Sequence, residues 1–274
     1  MTSFFMNAFD ELIDRRGSPR FNDRPKMLRV ISFAFICIFM GLALQGCSSA
    51  EKNDSTPEAL LKRAQEYEND DRYEEAIRRY QTLRTKFPYS PQALQAELAV
   101  ADVYFKQESY PEAQAAYQSF RDLHPHHPQI AYVYYRYALS LYHQLPDTID
   151  RDISLAPDAI LAFNEVIKKF PGSEYVKDSQ EKKSALIKML AEKEIYIGDF
   201  YFKRHFYESA LPRYEKTIQD YSGIGFDEKA LSHAAFCAFK IGDPNKARKY
   251  ISELKQKDIK LTSETKSLLK RIRL

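Results

Sequence analysis

The chain has 274 residues, room for one domain of two hundred-odd residues plus an N-terminal appendage. Its 41 Lys/Arg against 38 Asp/Glu give a formal charge of +3, and this near-neutral balance argues against a nucleic-acid binder. Three cysteines, Cys37, Cys47 and Cys237, supply no disulfide framework, and 8 Gly with no Trp beside 19 Tyr and 18 Phe suit a helical chain whose rings pack against small residues.

Residues 1–26 are polar and mixed in charge, and are expected to be a non-structural extension ahead of a true start at Met27. Residues 27–46 read as an export signal. Arg29 supplies a short positive region, and Val30 to Leu44 is an apolar run too short for a membrane span, which needs ~20 residues. Leu44-Gln45-Gly46-Cys47 resembles the lipobox of bacterial lipoproteins, with Gln45 departing from the usual small residue. The resemblance implies a diacylglyceryl thioether on Cys47, an acylated new N-terminus and, with Ser at 48, the outer membrane. No other cofactor is expected. Residues 47–57 form a small, polar tether with too few apolar side chains to offset ordering entropy.

From residue 58 to 274 one unit recurs. In Arg72–Pro91, Tyr73, Ala76, Ile77, Tyr80 and Leu83 lie on one helical stripe, and Phe87-Pro88 closes it, because proline disfavours helix in the residue before it. Thirty-seven residues on, Tyr110, Ala113, Tyr117 and Pro125 repeat the pattern. Further copies fall at Ala159/Phe163/Pro171, Ala210/Tyr214/Tyr221 and Ala247/Ile251. First helices precede each stripe: Pro57 to about Asp70, Pro91–Gln107, Gln129–Gln144, roughly Ser173–Lys203 with a break expected near Gly198, and Glu228–Ile241. An extended connection, LPDTIDRDISLAPDA, lengthens the third unit. The tail from Lys257 carries Leu261, Leu268, Leu269 and Ile272 and is expected to cap the last apolar face. This helix–turn–helix period resembles the tetratricopeptide repeat. It implies an all-α solenoid of about five helical hairpins, with an N-terminal half near 58–171 and a C-terminal half near 172–274.

Chemistry-bearing clusters are few. His124, His126 and His127 in LHPHHP occupy the same inter-repeat turn as FPYSP, and no Cys or acidic partner is spaced nearby for zinc. His143, His205 and His233 stand singly in helical stretches, and Cys237 lies in an apolar helix. Glu74-Glu75 beside Arg78-Arg79 reads as surface pairing, and Asp150/Asp152 as loop-ordering carboxylates. No catalytic residue and no metal site is expected.

The lipobox, tether and repeats come with the phrases FPYSP, HPHHPQIAYVYYRYALSLY, IDRD, FPGSEYVKDS and YIGDFYFKRHFYESALPRY. Together, over roughly Ser55 to Leu254, these resemble the BamD (ComL) family, the lipoproteins of outer-membrane β-barrel assembly. The resemblance implies a non-enzymatic adaptor, lipid-anchored on the periplasmic face of the outer membrane. Its C-terminal repeats would dock the periplasmic domains of the central barrel subunit, through residues such as Arg213, Lys240 and Arg248. Its N-terminal repeats would receive the C-terminal signal segment of unfolded barrel proteins, through Tyr67, Tyr104, Tyr132, Tyr135 and Arg136. Rings and a guanidinium suit a segment ending in an aromatic residue and a carboxylate. The competing readings are a pilotin-like lipoprotein for a secretin or pilus system, and a metal-assisted envelope hydrolase using His124, His126 and His127.

Overall fold

The computed structural model describes residues 55–272; the expected extension, export signal, Cys47 and most of the tether lie outside them. The first helix, α1 (Pro57–Asn69), starts where Thr56 caps it. The Thr56 hydroxyl accepts from Ala59 N–H at 3.2 Å, and Pro57 takes the first helical position, where its missing N–H costs nothing. Ten more helices follow: α2 (Tyr73–Lys86), α3 (Pro91–Lys106), α4 (Tyr110–Leu123), α5 (Ile130–His143), α6 (Ala156–Lys169), α7 (Tyr175–Lys203), α8 (Tyr207–Asp220), α9 (Asp227–Lys240), α10 (Pro244–Gln256) and α11 (Ser263–Lys270). Among the described residues there is no strand, and no helix is long and apolar enough to cross a membrane. Each helix from α1 to α10 packs on the next, giving five antiparallel hairpins in sequence; α11 returns onto α9. This is an all-α stack of tetratricopeptide type.

Within four of the hairpins the turn has one geometry. Asp71, Glu108, His205 and Gly242 all take positive φ, at 57°, 61°, 65° and 88°. The next residue's N–H reaches back five residues: Arg72 to Tyr67, Ser109 to Tyr104, Phe206 to Tyr201 and Asp243 to Ala238. That is a Schellman ending, which satisfies the last carbonyls of the first helix and reverses the chain. The third hairpin lacks it. There the connection from Leu145 to Leu155 replaces the tight turn.

The repeated alanines are all fully buried: Ala76, Ala113, Ala159, Ala210 and Ala247. Tyr80, Tyr117, Phe163 and Tyr214 are the matching buried rings. In the fifth copy the buried ring is Tyr250 rather than the residue at the repeat position, Ile251, which is only half-buried. The break expected near Gly198 does not occur, and α7 runs unbroken for 29 residues. Gly198 serves close approach instead: a Cβ there would lie 2.8 Å from Cε1 of the buried Tyr214 ring.

The apolar core falls into four clusters strung along the stack. Leu60 to Val103 form the first, around Leu98, Tyr117 and Val133 the second, and around Leu141, Phe163 and Leu186 the third. Tyr104 packs on the first and second, and Phe105 and Tyr137 on the second and third. The fourth cluster runs from Ile195 to Ile272. Both expected halves therefore share α7, whose Leu186 and Leu190 serve the third cluster and whose Ile195 serves the fourth. Leu268 and Ile272 of the tail are buried against that last cluster, so the tail does cover the terminal face.

Candidate functional site

The five residues expected in the N-terminal groove all sit on first helices of hairpins: Tyr67 on α1, Tyr104 on α3, and Tyr132, Tyr135 and Arg136 on α5. All five are half-buried. Tyr67 and Tyr104 pack on the first core cluster, and Tyr104 and Tyr132 on the second. Tyr135 stacks on Tyr175 of α7 with ring centres 4.8 Å apart, and Tyr132 lies 6.1 Å from the same ring. Tyr132, Tyr135 and Arg136 thus share α5 with Tyr175 of α7 beside them, whereas Tyr67 and Tyr104 lie on the first helices of the two preceding hairpins.

Arg136 sits among the rings of Phe105, Tyr117 and Tyr132. Its guanidinium lies 3.6 Å from the centre of the Phe105 ring and 5.6 Å from that of Tyr132. Its Nε donates to the Tyr117 hydroxyl at 3.1 Å. Among the described residues no acceptor meets its two Nη nitrogens. The charge is held in place by aromatic faces and one hydrogen bond while its outer donors stay unspent.

Asp102 anchors the same site. It accepts from the Tyr117 hydroxyl at 2.6 Å and the Tyr132 hydroxyl at 2.7 Å. Burial pushes its carboxyl above the usual range, against those two donors and the Arg136 charge. Burial likewise raises the Tyr117 and Tyr132 phenols, and the Asp102 charge adds to it. Tyr135 donates to Asp178 at 2.7 Å. His143 closes one flank, stacked on Tyr110 at 4.9 Å and edge-on to Phe105; burial lowers its pKa, and the Lys182 and Arg136 charges lower it further.

Asp102, Phe105, Tyr117, Tyr175 and Asp178 were not read from the sequence as site residues. A signal existed for two of them. Tyr80 donates to Glu68, Tyr117 to Asp102 and Tyr214 to Asp199, at 2.6, 2.6 and 2.8 Å. Asp102 and Asp199 each precede their tyrosine by 15 residues. A cation from the next hairpin's first helix completes each group: Lys106 on Glu68, Arg136 on Tyr117 and Lys229 on Asp199. The buried tyrosine is therefore a polar staple between neighbouring repeats as well as core. The third hairpin, with Phe163, has no such bond to offer.

The three residues expected in docking are spread over the last two hairpins. Arg213 on α8 donates to Glu194 of α7 at 3.1 Å, and Lys216 pairs with the same carboxylate at 3.3 Å. Lys240, at the end of α9, lies 5.5 Å from the Phe236 ring centre. Arg248 is exposed on α10 and donates to Asn245 at 3.0 Å. The Asp150-Arg151-Asp152 insert is tied to α7 by Lys193, which donates to the carbonyls of Ile149 and Arg151. Asp152 orders it locally by accepting from Ser154 N–H at 2.9 Å.

Within the LHPHHP turn, His124 and His127 both pack on the Phe120 ring but have different polar partners. His124 meets Glu97 at 3.2 Å, at the edge of a 760 Å³ cleft that also holds Arg84 and the fully exposed Tyr89. His127 lies edge-on to Phe120 and accepts from Gln129 N–H at 3.2 Å. Among the described residues no three His, Cys, Asp or Glu side chains are gathered closely enough to hold a metal ion. Cys237 is fully buried, and burial pushes its thiol up to about 12.

Paired helices stacked in sequence and buried alanine–ring matches define a tetratricopeptide-type repeat protein. The family described as YfiO, outer membrane lipoprotein, matches residues 53–254, and the chain belongs to that family. It is 31% identical over 229 residues to the outer membrane protein assembly factor BamD of Neisseria meningitidis serogroup A, covering 77% of this chain and 86% of that one. The factor of the same name from Rickettsia prowazekii is 35% identical over 125 residues, 46% of this chain and 49% of that one. Among solved structures, the TPR2AB-domain:pHSP90 complex of yeast Sti1 aligns at a TM-score of 0.40 and 13% identity, over 71% of this chain and 77% of that one.

Proposed function

We propose that this chain is a non-enzymatic adaptor in outer-membrane β-barrel assembly. It is anchored by acyl chains on Cys47 to the periplasmic face of the outer membrane. Its first three hairpins receive the C-terminal segment of unfolded barrel proteins, and its fourth and fifth dock the periplasmic domains of the central barrel subunit. Family membership and the relatives' names as assembly factors support the general role. The substrate reading is carried by one observation: Arg136 is held among half-buried rings with its outer nitrogens unspent. A terminal carboxylate would take those nitrogens in a charge-assisted pair, and the preceding aromatic side chain would pack on Tyr132, Tyr135 or Tyr104.

Docking rests on exposed or half-exposed cations of the last two hairpins, Arg213, Lys240 and Arg248. Arg213 would enter an interface already oriented by Glu194. Co-purification of the acylated protein from detergent-solubilised envelopes tests the reading. Recovery of the central barrel subunit is expected. Recovery of a secretin without that subunit would favour the pilotin-like alternative. Stoichiometric metal, lost on changing His126 and His127 to Ala, would favour the hydrolase.

A further inference from the structure

The charge of this chain is unevenly placed. Residues 244–274 hold ten Lys/Arg and three Asp/Glu, a net of +7, whereas the preceding 243 residues hold 31 and 35, a net of −4. In the structure this basic end is the end of the stack. The inner face of α10 buries Ala247, Tyr250 and Leu254. Its exposed face presents Arg248, Lys249, Ser252, Lys255 and Gln256, with no carboxylate among them. Lys260 in the connection and Lys266 and Lys270 on α11 are exposed as well, outnumbering the exposed carboxylates Asp258 and Glu264 of the same segments. Among the described residues, Lys249, Lys255, Lys260 and Lys270 have no ion-pair partner, in contrast to Lys246, which is paired with Glu215, and Lys257, paired with Asp227.

We propose that this lysine face is an electrostatic contact for an anionic phospholipid bilayer. The choice of occupant follows from what the face lacks. Specific protein interfaces centre on buried aromatic, Met or Arg anchors and are depleted in Lys. Beyond Arg248 at its start, the exposed face of α10 offers no aromatic or aliphatic anchor, only the strongly hydrated ammonium groups of Lys249 and Lys255 beside Ser252 and Gln256. Such a face matches a diffuse sheet of negative headgroups, where each added lysine near the surface strengthens association about fivefold. It also has the reach. Nine residues separate Cys47 from Pro57, at most ~35 Å of extended chain, so a tethered body can turn its other end to the same membrane. The contact would lay the stack along the bilayer and fix which way its first helices face.

The test uses the acylated protein with Ser252→Cys carrying a fluorophore; Cys237 is buried and its thiol is pushed up to about 12, so labelling is confined to position 252. The protein is placed on vesicles whose headgroups bear a nitroxide quencher. One set is phosphatidylcholine alone, and the other contains phosphatidylglycerol. Flotation with the neutral vesicles reports the acyl anchor by itself, so failure of that anchor shows separately from failure of the lysine face. Strong quenching is expected on phosphatidylglycerol vesicles only, lost at ~1 M salt, where the Debye length falls to ~3 Å. Lys249→Gln with Lys255→Gln is expected to weaken it severalfold, with Arg248, assigned to docking above, left unchanged. Equal quenching on both vesicles, none on either, or full quenching retained by the Lys249→Gln, Lys255→Gln variant on phosphatidylglycerol vesicles would each overturn the proposal.

Discussion

The aromatic cluster around Arg136 and the end of the stack at α10 and α11 are built by opposite rules. Around Arg136 most polar side chains are tied internally: Asp102 holds two phenols, Tyr135 donates to Asp178, and Arg136 lies against Phe105 and donates its Nε to Tyr117, leaving its outer nitrogens unspent. At the far end, unpaired lysines stand in solvent around a buried apolar stripe. The first arrangement fixes geometry before a ligand arrives, which suits recognition of a particular chemical group. The second fixes only charge, which suits a surface of no particular shape.

The comparison breaks most clearly at Asp102. Asp102→Ala leaves the Tyr117 and Tyr132 hydroxyls without their acceptor and is expected to cost about 3 kcal/mol in a urea titration. Tyr117→Phe leaves Asp102 its Tyr132 donor but takes the acceptor from Arg136 Nε, and should cost less, about 1–2 kcal/mol. Lys249→Gln with Lys255→Gln should leave stability within ~0.5 kcal/mol, because the stack makes no use of those charges. If the lysine pair costs as much as Asp102, the two regions do not differ as described.

At the seam between them, Gly198→Ala drives a Cβ to 2.8 Å from the Tyr214 ring, and Tyr214 is fully buried and bonded to Asp199. A loss of about 2 kcal/mol is expected in thermal unfolding, in spite of alanine's better helix propensity.

Acid separates the regions by sign. Burial raises the Asp227 and Glu228 carboxyls, but donors outweigh it and hold both below their ordinary values: Lys257, Gly223 N–H and Ser222 on Asp227, and Thr262 and Thr265 on Glu228. Their folded pKa values are depressed, so their stabilisation is present above ~4 and is lost as pH falls through the folded values. Asp102 is raised, so its contribution is full below its unfolded value near ~4 and is lost as pH climbs through its folded one. Lowering the pH from about 6 to about 3 should therefore reduce amide protection, relative to the intrinsic exchange rate at each pH, in α9–α11 before it does so in α3–α5.

The smallest effect sharpens the comparison at a turn. Glu108 holds a left-handed conformation at φ 61° that the fifth hairpin gives to Gly242. Glu108→Gly is expected to stabilise by ~0.5–1 kcal/mol, read as a raised Tm.

Much of this architecture was legible because alanine and ring recur at helical spacing: Ala76/Tyr80, Ala113/Tyr117 and Ala210/Tyr214 place their helices without reference to any partner. The groove was legible in part. Its tyrosines stood out by composition, but Asp102 and Asp178 did not, since a carboxylate on a helix reads as solvent-facing until the chain brings a phenol to it from another helix. Gly198 misled for the same reason. A glycine in a helix announces weakness locally, and only the opposing Tyr214 ring explains it. The fifth repeat escaped by one residue, because Tyr250 fills the core from the neighbouring position and reaches Glu215.

The central claim is that Arg136 receives a chain-terminal carboxylate beside aromatic walls. It is tested most directly by titrating the protein with a synthetic peptide from the C-terminus of a barrel protein, ending in Phe with a free carboxylate, against the same peptide carrying a C-terminal amide. A charge-assisted pair predicts that amidation weakens binding at least ~10-fold, and that Arg136→Gln abolishes the difference between the two peptides. Equal affinity of acid and amide for the unaltered protein would contradict it.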